Sequence, residues 1–187
     1  LIVVFVLIFH ALFSYSVLLI ILAKVNPLFF FTNMREAILF AFSTSSSSAT
    51  MPVTLKTVEE KLGVDKSVSS FCIPLGTTIN MDGTAIMQGV ATVFIAQVYQ
   101  VDLSMMEYLM VIITATLASI GTAGVPGVGL IMLAMVLQQV GLPVEGIALI
   151  IGVDRLLDML RTAVNVSGDA TISCIVANSE NQLTRKI

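Results

Sequence analysis

Charge is scarce in this 187-residue chain: Lys, Arg, Asp and Glu make up 11% of it, against 57% hydrophobic residues and a mean hydropathy of +1.00. A soluble domain carries roughly 25% charged residues, so that class is excluded, and neither is a nucleic-acid partner expected. There is one histidine, His10, in the middle of an apolar run, where it reads as a packed polar residue in preference to a proton relay. The two cysteines, Cys72 and Cys174, sit in apolar segments without metal-like spacing and read as small buried hydrophobes. No nucleophile accompanies a base, so no enzyme is expected. Gly121, Gly124 and Gly127 are not followed by Gly-Lys-Ser/Thr, which excludes a phosphate loop, and the Asn165-Val166-Ser167 acceptor pattern lies too deep in an apolar block to be glycosylated. An initial methionine is absent too. Leu1 to Val25 is too long for a signal peptide and lacks a cleavage pattern, so it reads as a true span of a fragment.

What is present is a series of apolar blocks. They predict an all-α integral membrane protein: a transmembrane helix over 1–25, a re-entrant hairpin over 34–63, a broken transmembrane helix over 67–98, a second re-entrant hairpin over 105–140 and a final transmembrane helix over 146–178. Each hairpin is interrupted at a polar or glycine-rich tip, Ser43 to Pro52 and Ser119 to Gly129, and Pro52 and Pro126 are expected to start the returning helices. The break at Asn80 to Thr84 frees backbone carbonyls at depth, which only protein or a wet cavity can satisfy. With both hairpins re-entrant, Lys24, Arg35, Lys56, Lys61, Lys66, Arg185 and Lys186 fall on one side, and the loops near Asp102 and Glu145 have no Lys or Arg. The basic side is then cytoplasmic. The run Lys56 to Lys66 reads as the cytoplasmic connection, with Glu59 and Glu60 solvated.

Within the last block, Asp154, Asp158, Arg161, Asn165 and Asp169 recur at helical spacing, so one narrow stripe gathers four charges and an amide. Such residues at bilayer depth face a bundle interior and mark a solute path. The two halves also echo each other: Ser48 to Pro52 against Thr122 to Pro126, and Asn80 to Gly83 against Asn165 to Gly168. With one hairpin entering from each side, the repeats are inverted, as in secondary transporters that build a midplane site from discontinuous helices.

Four stretches then carry a specific resemblance: Ser45 to Ser48 with Ala49-Thr50-Met51-Pro52, NMDGT at Asn80 to Thr84, SIGTAGVPG at Ser119 to Gly127 and DMLRTAVNVSGD at Asp158 to Asp169. In this order they resemble the sodium:dicarboxylate symporters, the glutamate transporter family, over essentially the whole chain. The resemblance implies the C-terminal part of an elevator-type transport domain built of inverted repeats. It also implies a homotrimer formed through a scaffold absent from this chain, set as a multi-pass protein in the plasma or inner membrane.

An acidic amino acid needs a fork of donors, a carboxylate for its ammonium and backbone N–H groups at helix ends. Arg161 is expected to grip the side-chain carboxylate and Asp158 the ammonium; the alternative is an ion pair that only neutralises itself. The resemblance adds Thr84, Thr162 and Asn165, and backbone at Ser45, Ser47, Val125 and Gly129. For Na+ it implies one site of Gly76, Asn80, Asn165 and Asp169, a second of Thr78, Ser119, Ile120 and Thr122, and a third of Asn80 and Asp82 with partners from an earlier span. Asp82 could also cap the next half-helix.

The chain departs from many relatives in holding Ser45 and Met159 where an extra arginine occurs, while Arg155 sits about 100° off the stripe. That leaves potassium counter-transport open. The expected function is sodium-coupled uptake of glutamate or aspartate. Proton coupling, C4-dicarboxylates or an anion-conducting channel are the alternatives, and an inactive fragment is the blandest reading.

Overall fold

The computed structural model describes Leu1 to Thr184; Arg185 and Lys186, which the sequence placed with the basic side, lie outside the described residues. It is all-helical, with a lone antiparallel bridge between Val64 and Leu183. Helix α1 (Ile2–Ala23) is the one helix among the described residues long and apolar enough to cross a membrane. It widens into π-type turns at His10–Ser14 and Leu19–Ala23, irregularities that concentrate at functional positions.

After a left-handed Lys24, Asn26 caps α2 (Pro27–Thr44) by accepting from Leu28 N at 2.9 Å, with Pro27 preset for the first turn. The helix therefore begins well before residue 34. Its return strut, α3 (Ser47–Thr57), starts right after Ser46, and Pro52 lies inside it. The proline does not start the helix because Ser46 caps better: its hydroxyl accepts from Ala49 N at 3.1 Å. The break in this hairpin is thus only Ser45 and Ser46, with Ser45 left-handed at φ 52°. A π-type turn over Val58–Leu62 closes the strut.

Asp65 caps α4 (Lys66–Ile79), accepting from Ser67 Oγ at 2.6 Å and Ser67 N at 2.8 Å, bonds that hold its carboxyl below the usual range. Helix α5 (Asp82–Val98) resumes after Asn80 and Met81, whose φ,ψ of −102°, 77° and −114°, 49° break the helical hydrogen-bond ladder. Ser104 and Glu107 form a reciprocal capping box at the start of α6 (Met105–Ile120). Its partner α7 (Val128–Gln139) follows Gly127 at φ 83°, so Pro126 does not start a helix here either. After a 3-10 turn at Val144–Ile147 comes α8 (Ala148–Ser179), 32 residues long.

Two large apolar cores lie toward opposite ends of the bundle, with a small third cluster of Leu7, Tyr15 and Val164. Leu19, Phe30, Met34, Ile73, Val166 and Cys174 belong to one, and Met87, Ile95, Ala115, Leu133, Val136 and Ile150 to the other. Between them α8 is buried on polar side chains: Arg161, Thr162, Asn165, Ser167 and Asp169. Outward-facing Phe5, Ile112, Ile131 and Leu156 are all more than 60% exposed, a surface suited to hydrocarbon. Asn178 Nδ2 donates to Leu22 O and Lys61 pairs with Glu36 at 2.7 Å, which brings Lys24, Arg35, Lys56, Lys61 and Lys66 to one end.

Candidate functional site

The site forms where three breaks in the backbone meet the stripe on α8. Ser46 Oγ donates to Gly124 O at 2.7 Å and Ser48 N to the same oxygen at 3.1 Å, so the two hairpin tips touch. Gly124 is required there: a Cβ would lie 2.9 Å from Ser48 Oγ and 3.2 Å from Thr77 O. Beneath the tips lies a cavity of about 10 Å³, room for about one water. Ser45, Ser47, Thr84, Val125, Gly129, Asp158, Thr162 and Asn165 all line it.

Arg161, the remaining residue expected at the substrate, stands behind this wall, 1% exposed. A Cβ on Gly129 would lie 3.3 Å from its Nη1, so glycine lets the tip approach the guanidinium. Nη2 is 2.8 Å from Asp158 Oδ1 and 3.1 Å from Asp154 Oδ1. Nε and Nη1 have no hydrogen-bond partner, although buried donors normally do. Two carboxylates thus share one face of the guanidinium, while Nε and Nη1 remain able to donate to an oxyanion. Asp158 Oδ2 meanwhile accepts from Gly127 N at 3.0 Å. Arg155 is exposed, and Asp154 pairs with Arg161 instead.

Asn165 ties the stripe to the break before α5: its Oδ1 accepts from Gly83 N at 2.8 Å, and its Nδ2 donates to Thr84 Oγ1 at 3.4 Å and faces Met81 Sδ at 3.2 Å. One turn on, Asp169 is 2% exposed and accepts from Asn80 Nδ2 at 2.9 Å. Its carboxylate lies against Gly76, where any Cβ would overlap it. No group of three or more His, Cys, Asp or Glu gathers among the described residues, so a cation here must rest on carbonyl and amide oxygens with single carboxylates. Such hard oxygens suit Na+. Of the other residues expected at ion sites, Ser119 donates to Thr116 O and Thr122, just past the end of α6, to Ala118 O, each at 2.8 Å. Thr78 donates likewise to Leu75 O at 2.7 Å, and Thr78 and Ile120 are exposed.

Asp82 stands in the first turn of α5, where Oδ1 accepts from Gly83 N at 2.9 Å, and Oδ2 points toward α1. There it meets His10 Nε2 at 2.9 Å and the hydroxyl of Tyr15. His10 is therefore a packed polar residue with a carboxylate partner on α5, and α1 supplies neighbours of Asp82 that the sequence did not suggest. Sequence reasoning also missed Ser46 and Gly124. The repeated serines and glycines signalled the tips but not which of them touch.

The profile of the Sodium:dicarboxylate symporter family matches residues 1–179. The chain is 52% identical over 161 residues to excitatory amino acid transporter 3 of Mus musculus, covering 86% of this chain and 31% of that protein. It is 47% identical over 180 residues to a putative sodium-dependent excitatory amino acid transporter of Caenorhabditis elegans, covering 96% and 36%. Excitatory amino acid transporter 1 of Rattus norvegicus is 47% identical over 170 residues, covering 91% and 31%. The chain thus spans about a third of the length of these curated relatives. Motifs, helical architecture and similarity along nearly its whole length agree: the chain belongs to the sodium:dicarboxylate symporter family.

Proposed function

We propose that this chain is the substrate- and ion-handling part of a secondary symporter that carries glutamate or aspartate across the plasma membrane with sodium. The observation that carries this reading is the Arg161 fork, buried with Nε and Nη1 unpartnered beside Asp158 at the meeting of two hairpin tips. A zwitterion with a second carboxylate matches that charge pattern. Arg161 takes the side-chain carboxylate, and Asp158 takes the ammonium once Gly127 N releases it. Thr84, Thr162 and Asn165 and the backbone at Ser45, Ser47, Val125 and Gly129 orient the rest. A C4-dicarboxylate would leave Asp158 without an ammonium, which disfavours that substrate.

Sodium is carried with the amino acid. Gly76, Asn80, Asn165 and Asp169 hold one ion, Thr78, Ser119, Ile120 and Thr122 a second as the outer tip closes, and Asn80 and Asp82 a third. The hairpins enter the membrane from opposite sides as inverted repeats, and the unit moves as an elevator against a trimeric scaffold supplied by the rest of the protein. The relatives' names, which include sodium dependence and excitatory amino acids, support this reading.

The test is uptake of labelled aspartate by the full-length protein in liposomes. An inward sodium gradient should drive accumulation above the external concentration, and collapse of the gradient should abolish it. Uptake that only equilibrates would indicate a channel, and uptake indifferent to sodium but driven by a proton gradient would replace the coupling ion.

A further inference from the structure

We propose that Tyr15, on the first helix, is a positioning residue for the sodium-binding carboxylate Asp82, a role that rests on the sodium coupling proposed above. Its hydroxyl lies deep in the bundle, the side chain 3% exposed, and meets oxygens from two other helices: Asp82 Oδ2 on α5 and, at 3.1 Å, the carbonyl of Val164 on α8. A phenol has one proton. It goes to the carboxylate, where a charge-assisted bond is the stronger, and the Val164 carbonyl then faces the phenolic oxygen with no hydrogen between them. Tyr15 thereby adds an oxygen to a cluster that already holds a carboxylate and a carbonyl, the surroundings a hard cation prefers.

The neighbours are shaped around this hydroxyl. A Cβ on Gly168 would lie 2.8 Å from Tyr15 Oη and 2.8 Å from Asn80 Nδ2, so glycine is what lets both side chains close on this point of α8. Asn80 in turn donates to Asp169. Tyr15 thus touches one of the two carboxylates proposed to hold sodium and shares the Gly168 notch with the side chain that binds the other. The π-type turn at His10–Ser14 places His10 and Tyr15 together on the face toward Asp82, their rings edge to face at 4.9 Å. A carboxylate has about four acceptor positions; Gly83 N, His10 and Tyr15 occupy three of Asp82's. Its orientation is therefore fixed, with one position left for a cation.

Tyr15→Phe keeps the ring and its packing and removes only the hydroxyl. In the full-length protein, sodium binding without substrate is followed by calorimetry, and aspartate binding is then measured at saturating sodium. Losing a hydrogen bond to a charged group should raise the sodium concentration for half-saturation by about tenfold, leave aspartate affinity at saturating sodium little changed, and leave thermal unfolding in choline unaltered. Gly168→Ala, acting from another helix, should shift the sodium midpoint in the same direction. A parental midpoint in both variants would overturn the role of Tyr15 and leave sodium coupling standing. So would equal weakening of sodium and aspartate binding with lowered thermal stability, since that is what a structural residue does. If the unmutated protein binds no sodium, both the coupling and the role of Tyr15 fall.

Discussion

Under the proposed function, substrate choice turns on Arg161. Its fork is buried with Nε and Nη1 unpartnered, so removing it should cost an acidic substrate about 3 kcal/mol, a loss of roughly a hundredfold, while Asp158 still receives an ammonium. Arg161→Cys should lose aspartate and glutamate yet take up serine or alanine with sodium. Arg161→Lys should restore little, because a point charge does not replace a planar fork. Competition of labelled aspartate and serine uptake by a panel of amino acids reads both outcomes, and a Cys variant that still prefers aspartate would remove Arg161 from the pocket. Gly76 makes a second test at this scale. Any side chain there overlaps the Asp169 carboxylate, so Gly76→Ala should raise the sodium needed for half-maximal uptake by about tenfold or more. A sodium titration unchanged from the parent would separate Asp169 from the ion. The stripe from Asp154 to Asp169 was legible because helical period alone puts those residues on one face. The partners of Asp82 were not, since Tyr15 and His10 lie 67 and 72 positions away and carry no motif.

Among the elements, the hairpins show what local chemistry decides. Proline announced that each tip was near, but in the first hairpin a serine cap outweighs it and moves the start of α3 to Ser47. In the second, Gly127 at φ 83° sets the start of α7. A pattern of apolar and polar residues cannot rank such competing start signals, and tip boundaries were accordingly the least legible part of the fold. The same serine joins the two hairpins. Because Ser46 Oγ donates to Gly124 O while the cavity beneath holds no amino acid by volume, substrate entry requires that bond to break. Ser46→Ala should favour the open arrangement and raise the reactivity of a cysteine at Val125, itself 47% exposed, toward a hydrophilic thiol reagent. Sodium with aspartate should restore protection less completely than in the parent. Equal labelling rates in parent and variant would show that the contact does not hold the tips.

Across the whole molecule, most buried apolar residues divide into two large cores with a polar seam between them, and α8 runs through both, as α1 does from Val3 to Ala23. The seam contributes hydrogen bonds and paired charge, with only the small apolar cluster of Leu7, Tyr15 and Val164 beside it, so it transmits folding cooperativity weakly compared with a continuous apolar interior. The two ends should therefore behave as separate units of opening. In native-state hydrogen exchange of the full-length protein, amides around Phe30, Ile73 and Cys174 should share one opening free energy, and those around Ile95, Leu133 and Ile150 another. Sodium and aspartate, which the proposed function places in the seam, should draw the two values together. A single value without ligand would mean that the cores already open as one. If the two are separate, the cargo is also the mortar: a loaded unit crosses as a rigid body because what it carries welds its halves.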